Sequence, residues 1–413
     1  MDIKITPSNL AGSVVAPPSK SYAHRYIIAS YLSNSEGFIE NVQPSKDILA
    51  TLSVLKNIGL DYEFINNGVY IKRATIKNNP ILDCNESGST LRFMLPILSA
   101  LDIPCEFTGS KRLLERPIDD LVDCLNENGA NIDSFKVQGK LKSGTYNING
   151  SVSSQFITGL LFALPILNGD SNIVIQGDIV SEDYINITLD VLEKFNITIK
   201  KTENGYFVKG NQKYIMPNKM LVEGDYSNSA FLLAMGVLGD GVSVLNLNKN
   251  SKQGDSKIIK ILKEFGGNVK ELKSGYFVSK GKLKGICLDC ENTPDIVQII
   301  SVVSAYAEGK TILKNVSRLE IKESDRVQGI INNLKNSGIK AEYNNGDLTI
   351  YGGNVKGATF SGDNDHRTVM SSVVLASFAS GCSKIKGVEA IQKSYPTFFE
   401  DYKLLGGKIN GDI

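Results

Sequence analysis

The chain has 413 residues with an apolar content of 42%, which leaves room for roughly two or three domains with well-filled cores. Its 45 basic and 44 acidic residues give a formal net charge of +1. The molecule therefore lacks the overall positive field that nucleic-acid-binding and membrane-surface proteins use, and any positive site must be local.

Targeting and membrane signals are weak in this sequence. The first residues contain no basic head followed by a long apolar stretch, so no signal peptide is indicated. The longest apolar run, Phe156 to Leu167, is too short to span a bilayer and is interrupted by Gly159 and Pro165. We expect a soluble cytoplasmic protein.

The six cysteines are scattered along the chain and do not resemble a disulfide framework. Cys287 and Cys290 form a C-x-x-C motif, but no second pair accompanies it and both histidines are distant in sequence. We therefore interpret this motif as two core thiols, in preference to a zinc or redox site.

The first segment with chemical potential is Pro17 to Arg25, P-P-S-K-S-Y-A-H-R, in which two prolines lead into a serine-rich turn and an apolar run. Ser19 and Ser21 can cap a helix there. The N–H groups of the first turn and the positive end of the helix dipole then form a site for an anion, and Lys20 and Arg25 add full charges. The alternative is an ordinary capped helix with solvated basic residues.

The same design recurs along the chain at spacings of roughly 65–75 residues. Each copy has a polar turn that can cap a helix, followed by a helix that is apolar on every side and is therefore buried. The six turns begin at Ser19, Glu86, Val152, Asp225, Thr293 and Asp363. If these helix starts face a shared cleft, their dipoles together form an anion trap without any net charge on the molecule.

A second set of helices lies between the buried ones and has apolar residues at i, i+3, i+4 and i+7. Ile48 to Leu55 and Val327 to Leu334 are examples, and most of these helices end at a glycine suited to a left-handed stop. Hairpin signals such as Asn-Asn-Gly at 66–68 follow most of them. One repeat is therefore strand, buried helix, strand, amphipathic helix and hairpin, and three repeats fit the usual size of a domain.

Positively charged residues occur at the helix starts and in the adjoining turns. They are Lys20, Arg25, Arg92, Arg116, Lys322, Arg326, Arg367 and Lys393. Each alone fits a solvated surface residue, but their common placement favours an anion site. Ser153, Ser154 and Gln155 add donors that suit a phosphate, and a plain serine cap is an equal alternative. Both histidines, His24 and His366, precede an arginine, and we interpret them as core residues that orient their neighbours.

The stretch Ile321 to Arg326, I-K-E-S-D-R, has the densest charge. Lys322 and Arg326 are four residues apart, which predicts that they share one face of a helix. Glu323 beside them could donate a proton, and Asp295, at the start of another buried helix, is a second carboxylate. Two carboxylates among many cations predict acid and base chemistry on a polyanion. A capping aspartate with an ion-paired glutamate is the alternative.

These segments resemble the enolpyruvyl transferases, and among them the EPSP synthase family. The resemblance covers the whole chain and depends on P-P-S-K-S-x-x-H-R at 17–25, S-G-S-T-L-R at 87–92, E-R-P-I at 115–118, S-S-Q-F at 153–156, G-D-x-S at 224–227, K-E-S-D-R at 322–326, D-H-R at 365–367 and K-S-Y-P at 393–396. It implies an α/β fold, a two-domain inside-out α/β barrel. The six repeats would be divided between the two domains, so that each domain has three-fold pseudosymmetry. The first domain would span residues 21–223 and the second residues 1–20 plus 224–413, with the active site in the cleft between them.

The resemblance also implies transfer of the enolpyruvyl group of phosphoenolpyruvate to the 5-hydroxyl of shikimate 3-phosphate, in aromatic amino acid biosynthesis and without a metal or cofactor. Shikimate 3-phosphate would contact Lys20, Ser21, Arg25, Ser153, Ser154, Gln155, Ser181, Asp295 and Lys322. Phosphoenolpyruvate would contact Lys20, Gly88, Arg116, Gln155, Arg326, Arg367 and Lys393. Asp295 would be the base on the attacking hydroxyl, while Glu323 and Lys20 would manage the proton at the methylene carbon. Three positions depart from the commonest family pattern: Ser89 stands where threonine is frequent, Phe93 where many members have proline, and Arg318 where some have asparagine.

Three other functions stay open at this point: transfer of enolpyruvyl to UDP-N-acetylglucosamine, a role like that of RNA terminal-phosphate cyclases, and non-catalytic anion binding. The enzyme that uses UDP-N-acetylglucosamine carries a reactive cysteine five residues before its Arg-Pro pair, and this chain has Lys111 at that position. Near-neutral charge and the lack of tryptophan argue against a nucleic-acid role. We expect small-molecule substrates, no nucleic-acid or membrane partner, and a monomer.

Overall fold

The computed structural model describes residues 1–76 and 80–411. Its α-helices are α1 (Lys20–Leu32), α2 (Lys46–Asn57), α3 (Gly88–Leu101), α4 (Lys111–Leu114), α5 (Asp119–Glu127), α6 (Ser154–Ala163), α7 (Glu182–Lys194), α8 (Tyr226–Leu238), α9 (Ile258–Glu264), α10 (Val297–Ala305), α11 (Arg326–Asn336), α12 (His366–Ser377) and α13 (Phe398–Leu404). Short 3-10 helices cover Leu164–Ile166, Gly254–Lys257, Ser317–Leu319 and Val388–Lys393.

The strands are short, and most have three to five residues. They are β1 (Asp2–Thr6), β2 (Ala11–Val15), β3 (Gly37–Glu40), β4 (Ile58–Ile65), β5 (Gly68–Ile76), β6 (Ile81–Asp83), β7 (Cys105–Thr108), β8 (Ala130–Asp133), β9 (Lys136–Gly139), β10 (Thr145–Asn149), β11 (Ser171–Gln176), β12 (Ile199–Thr202), β13 (Gly205–Val208), β14 (Met220–Leu221), β15 (Gly241–Leu245), β16 (Asn268–Leu272), β17 (Gly275–Ser279), β18 (Cys287–Asp289), β19 (Lys310–Lys314), β20 (Lys340–Asn344), β21 (Asp347–Tyr351), β22 (Thr359–Ser361), β23 (Ser383–Lys386) and β24 (Lys408–Asn410).

The described strands form six four-stranded sheets with one shared internal order. The sheet β6-β7-β9-β8 is representative: β6 and β7 are parallel, and β9 is antiparallel to both β7 and β8. The buried helix α3 connects the two parallel strands, because a parallel pair needs a crossover, and the amphipathic helix α5 precedes the hairpin. This is the predicted repeat, and the predicted α/β fold class is confirmed.

The chain divides into two compact units, which we call the continuous unit (Pro18–Val222) and the two-segment unit (Met1–Pro17 with Glu223–Ile413). Each unit contains three of the six sheets. The sequence predicted limits of 21 and 223 for the first domain, which differ by three residues and by one residue from the observed limits of 18 and 222. The predicted active-site cleft between the domains stays a prediction.

Sheet membership does not follow chain order at two places. Strand β2 directly precedes α1 of the continuous unit, but it pairs in parallel with β15 of the two-segment unit. Strand β14 directly precedes α8 of the two-segment unit, but it pairs in parallel with β3 of the continuous unit. Within the two-segment unit, β1 lies between β23 and β24, so one sheet joins the first and the last described strands.

Each unit has its own hydrophobic core, formed largely by three helices that are buried on nearly all sides: α1, α3 and α6 in the continuous unit, and α8, α10 and α12 in the two-segment unit. Phe156 of α6 and Phe231 of α8 have no exposed surface. Burying one such side chain contributes about 1.5–3 kcal/mol, so these apolar helices are the main source of stability in each unit.

The predicted helix starts are largely confirmed. Side chains of Ser19, Ser87, Ser153, Asp225 and Asp365 accept hydrogen bonds from backbone N–H groups in the first turns of α1, α3, α6, α8 and α12. The prediction for Thr293 is wrong, because α10 begins only at Val297 after a turn, and its N-cap Ile296 has no side-chain acceptor. Glycines with positive φ follow the amphipathic helices as predicted, for example Gly129 at +99°.

The C-x-x-C cysteines and the lengths of the helices bear on two further predictions. The core-thiol interpretation holds for Cys290, which is buried, and is wrong for Cys287, which is exposed. In the described part of the chain, every helix is too short or too polar to cross a bilayer.

Candidate functional site

The continuous unit places four basic residues, Lys20, Arg25, Arg92 and Arg116, at or beside the starts of its buried helices; we call them the cationic cluster. Lys20 is the first residue of α1, and its Nζ lies 2.6 Å from a carboxylate oxygen of Asp47 at the start of α2. Both side chains of that pair are largely buried, at 18% and 12% exposure. Among the ion pairs of the described residues, Arg25 and Arg92 have no carboxylate partner.

The start of α3 brings Arg92 and Arg116 together. The Nη1 group of Arg92 donates to Gln155 Oε1 at 2.9 Å, and Gln155 Nε2 donates to Ser89 Oγ at 3.0 Å. Gly88 leaves space for both guanidinium groups, since a Cβ there would lie 2.8 Å from Arg116 Nη1 and 3.1 Å from Arg92 Nη1. Burial, and then the charge of Arg116, lower the pKa of Arg92 to about 9. This concentration of positive charge at a helix N-terminus suits an anion.

Arg25 lies deeper, with 2% of its surface exposed. Its Nε donates to Thr188 Oγ1 at 2.8 Å, its Nη1 to the carbonyl of Ser21 at 2.8 Å and its Nη2 to the carbonyl of Tyr184 at 3.0 Å. The guanidinium lies 5.1 Å from the centre of the Phe93 ring. Burial lowers the pKa of Arg25 to about 10. Arg25 therefore holds α1 against α7 and faces neutral oxygen atoms rather than carboxylates.

Three of the serines expected to contact shikimate 3-phosphate lie at two helix starts of the same unit. Ser153 caps α6 by accepting from the backbone N–H of Gln155 at 3.3 Å, and Ser154 is the first residue of that helix. Ser181, the N-cap of α7, has φ +55°, a left-handed conformation that is uncommon for residues other than glycine.

The two-segment unit gathers carboxylates around one buried arginine; we call Asp295, Glu323, Asp365 and Arg326 the carboxylate cluster. Arg326 is 2% exposed, and its Nε donates to Asp365 at 2.7 Å and its Nη1 to Asp295 at 3.0 Å. Its Nη2 lies 3.8 Å from Glu323. Burial alone would lower the pKa of Arg326, but the three carboxylates raise it above its usual value. Arg326 therefore stays charged, with three carboxyl groups around it.

Exposure separates the three carboxylates of this cluster. The side chains of Asp295 and Glu323 are 18% and 19% exposed, whereas that of Asp365 is 0% exposed. Burial would raise the pKa of Asp365, but the Arg326 charge holds it below its usual value. Asp295 and Glu323 are thus the partly solvent-exposed members, while Asp365 is buried, holds Arg326 and caps α12.

Further polar groups extend the carboxylate cluster. Arg367 donates through Nη1 to the carbonyl of Asp295 at 2.9 Å, and its Nη2 lies 3.3 Å from the Asp295 carboxylate. Lys393 Nζ donates to the carbonyl of Asn364. Asp255 is buried and accepts from Ser227 Oγ. Burial, and then the neighbouring Asp295 charge, raise the pKa of Asp255 to about 7.

One prediction for the stretch before α11 is wrong. Lys322 and Arg326 do not share a helical face, because Asp325 caps α11 by accepting from Gln328 N–H at 2.9 Å, and the helix begins only at Arg326. Lys322 lies in the preceding turn and is half-buried. Arg318, in the 3-10 helix Ser317–Leu319, is also half-buried.

The carboxylate cluster also contains a set of possible metal ligands. Ligand atoms of Glu323, Asp365 and His366 lie within 4.8 Å of one another, and His366 Nδ1 is 3.1 Å from Glu323. Arg326, however, already donates to both oxygens of Asp365, at 2.7 and 3.4 Å. The guanidinium thus fills the position that a cation would need, and the set functions as an ion-pair network.

The predicted residues thus form two groups, one within each unit. The continuous unit carries Lys20, Ser21, Arg25, Gly88, Arg116, Ser153, Ser154, Gln155 and Ser181, and the two-segment unit carries Asp295, Lys322, Glu323, Arg326, Arg367 and Lys393. Three aspartates near these residues were not predicted from the sequence: Asp47, which pairs with Lys20, Asp365, which pairs with Arg326, and Asp255, which lies near Asp295. Asp365 had a signal, since it lies in the D-H-R motif, but Asp47 and Asp255 are ordinary acidic residues at helix starts.

Comparison with known proteins adds the family. A family model described as EPSP synthase (3-phosphoshikimate 1-carboxyvinyltransferase) matches residues 5–402. Proteins named 3-phosphoshikimate 1-carboxyvinyltransferase from Clostridium kluyveri and Clostridioides difficile are 39% and 38% identical to this chain. Each match covers 99% of this chain and 98% of the relative.

Solved structures share the fold. An EPSP synthase from Acinetobacter baumannii superposes with a TM-score of 0.83 at 23% identity, over 99% of this chain and 100% of that one. The enolpyruvyl transferase NikO from Streptomyces tendae superposes with a TM-score of 0.80 at 14% identity, over 99% and 98%. Because the family model and the sequence relatives span nearly the whole length, and the fold agrees with theirs, the chain belongs to the EPSP synthase family, the 3-phosphoshikimate 1-carboxyvinyltransferases.

Proposed function

We propose that this protein transfers the enolpyruvyl group of phosphoenolpyruvate to the 5-hydroxyl of shikimate 3-phosphate and releases phosphate. The observation that supports this most is the family match over residues 5–402, because it includes both the cationic and the carboxylate clusters. The chemistry of the clusters agrees with it, since both substrates are anions that repel each other and the reaction needs two proton transfers.

The cationic cluster would bind the two substrates. Lys20, Gly88, Arg116 and Gln155 would contact phosphoenolpyruvate, because the Gly88 backbone and two guanidinium groups converge there. The shikimate 3-phosphate contacts would be those predicted from the sequence, with Ser153, Ser154 and Ser181 on the phosphate. Fixed cations hold two polyanions together at no cost of reorganisation during the reaction, and this orientation supplies much of the rate.

The carboxylate cluster would carry out the proton transfers. Asp295 would take the proton of the 5-hydroxyl as that oxygen adds to the central carbon of phosphoenolpyruvate, while Glu323, with Lys20, would deliver a proton to the methylene carbon. The product of addition is a tetrahedral ketal. Loss of phosphate and removal of a methyl proton then restore the vinyl ether, with Arg326, Arg367 and Lys393 compensating the charge of the leaving phosphate.

A turnover assay tests this function. Purified protein with phosphoenolpyruvate should release phosphate when it is offered shikimate 3-phosphate, and not when it is offered UDP-N-acetylglucosamine or RNA ends with ATP. Release with UDP-N-acetylglucosamine alone would contradict the proposal. Light scattering at the assay concentration tests the further proposal that the active form is a monomer.

Substitution of the two accessible carboxylates tests their roles. Asp295→Asn and Glu323→Gln should each lower kcat by about two or more orders of magnitude, because general acid and base catalysis contributes that much. The matched control is Glu308→Gln, which changes an exposed carboxylate of the same unit outside the cluster. Near-normal kcat in both variants, with circular dichroism spectra like that of the wild type, would remove the proton-transfer roles.

A further inference from the structure

A chain of buried hydrogen bonds connects three helices of the continuous unit through His24 of α1, Thr51 of α2 and Thr90 of α3. His24 Nδ1 lies 2.7 Å from Thr51 Oγ1, and Thr51 Oγ1 lies 2.7 Å from Thr90 Oγ1. Thr90 in turn donates to Ser87 Oγ at 2.7 Å. All four side chains are at most 1% exposed. The chain thus crosses from α1 through α2 to the cap of α3 without contact with solvent.

The direction of these bonds fixes the protonation of the histidine. Thr90 has one hydroxyl proton and donates it to Ser87, so the Thr51–Thr90 bond must be donated by Thr51. Thr51 then has no proton left for His24, and His24 Nδ1 must carry the proton that Thr51 accepts. The ring is therefore the neutral tautomer with Nδ1–H, which is the less common one in water.

The other ring nitrogen supports this assignment. His24 Nε2 is buried and has no hydrogen-bond partner among the described residues, so the hydrogen bond that orients the ring is the one at Nδ1. Burial, and then the neighbouring charges of Lys20 and Arg25, hold the pKa of His24 well below its usual value. A buried neutral histidine with one bond to a threonine is suited to orient helices rather than to transfer protons to substrate.

The helix that this chain orients is the one that carries Gly88. Ser87 accepts from Thr90 N–H at 3.3 Å as the cap of α3, and Gly88 is the first residue of that helix. At the other end of the chain, His24 lies one turn after Lys20 on α1. The bonds therefore set the position of Lys20 relative to the backbone N–H groups at the start of α3.

We propose that His24 is a positioning residue of the enzyme: as the Nδ1–H tautomer it fixes, through Thr51 and Thr90, the start of α3 against the start of α1, and so determines the affinity for phosphoenolpyruvate. The effect on affinity rests on the proposed function. The tautomer and the helix linkage do not, because they follow from hydrogen bonds within the continuous unit.

Nitrogen-15 NMR tests the tautomer without any substrate. The protein has just two histidines, so each ring gives one resolvable set of signals, and a His366→Asn sample assigns them. At pH 8 the wild-type His24 ring should show a protonated Nδ1 and an unprotonated Nε2. A protonated Nε2 would overturn the proposal, whatever the enzyme assay reports.

Kinetics of variants test the positioning role. Thr51→Val keeps the shape of the side chain but breaks both of its bonds, and His24→Leu removes the ring; each should lower kcat/KM for phosphoenolpyruvate by about ten-fold or more, mainly through KM. His24→Asn, whose amide can donate to Thr51, should stay within about three-fold of the wild type. The matched control is Ser99→Ala on α3, since the buried Ser99 hydroxyl donates only to the Leu95 carbonyl of its own helix.

The outcomes separate the two proposals. Wild-type protein without phosphate release would refute the proposed function, and the NMR result would still decide the tautomer. Active wild-type protein with an unchanged kcat/KM in Thr51→Val would refute the positioning role. Equal losses in Thr51→Val and in Ser99→Ala would also refute it, because a general loss of packing would then explain both. If Thr51→Val does not fold, the comparison of His24→Leu with His24→Asn decides in its place.

Discussion

Arg326 offers the sharpest test of the electrostatics in the two-segment unit. The substitution Arg326→Met keeps an elongated apolar stem of similar length but removes the charge that three carboxylates surround. Asp365, with no exposed surface, then loses its closest cation. The ionised carboxylate would be left buried without compensation.

The expected cost can be estimated from the burial of both partners. Removal of one partner of a buried ion pair usually costs about 3–5 kcal/mol of unfolding free energy. In the wild type, Arg326 holds the pKa of Asp365 below its usual value, whereas in the variant burial raises that pKa. The folded variant then binds a proton that the unfolded chain does not, so its stability falls as pH rises through the window above about pH 4. The cost should therefore be larger at pH 8 than at pH 5.

Urea unfolding followed by far-ultraviolet circular dichroism at the two pH values measures this cost. The companion variant Arg326→Met/Asp365→Asn removes the stranded charge and keeps an amide that can still cap α12. It should recover about 1–3 kcal/mol at pH 8 relative to the single variant and show a weaker dependence on pH. An equal loss at pH 5 and pH 8, or a double variant less stable than the single one, would refute the reasoning.

Two further substitutions test individual contacts. Gly88→Ala should raise KM for phosphoenolpyruvate by about ten-fold with little change in KM for shikimate 3-phosphate. The reason is that the new Cβ would lie 2.8 Å from Arg116 Nη1 and push that guanidinium away. An unchanged KM for phosphoenolpyruvate in steady-state assays would contradict this. Asp255→Asn should raise the melting temperature, and the gain should grow from pH 5 to pH 8, because the wild-type carboxyl, with a pKa of about 7, becomes a buried charge over that range. A gain that is the same at both pH values in calorimetry would show that Asp255 is already ionised at pH 5.

The sequence predicted the features that depend on neighbouring residues. The caps at Ser19, Ser87 and Ser153 and the apolar bodies of α1, α3 and α6 are set within a few positions of the chain, and the structure confirms them. The error at Lys322 was also local: Asp325 is a strong cap three residues before Gln328, and this moves the helix start past Lys322.

The partners of the site residues could not be predicted in this way. Lys20 pairs with Asp47, 27 positions away, and Arg326 pairs with Asp365, 39 positions away. Lys20 and Asp47 lie on the two helices of one repeat, whereas Arg326 and Asp365 lie in two different repeats. Both pairs are therefore defined only once the helices have packed against one another. The raised pKa of Asp255 likewise depends on its burial near Asp295, 40 positions away, which composition and spacing do not reveal.

The division of one unit into two chain segments has a consequence for how the protein is made. Every residue of the continuous unit lies in one uninterrupted stretch, so that unit can fold as soon as residue 222 has left the ribosome. Strand β1, in contrast, needs β23 at residues 383–386. At a synthesis rate of 5–20 residues per second it waits roughly 20 to 80 s with unsatisfied edges. During that interval the unpaired edges of β1 are open to pairing with other chains, which is a general route to aggregation.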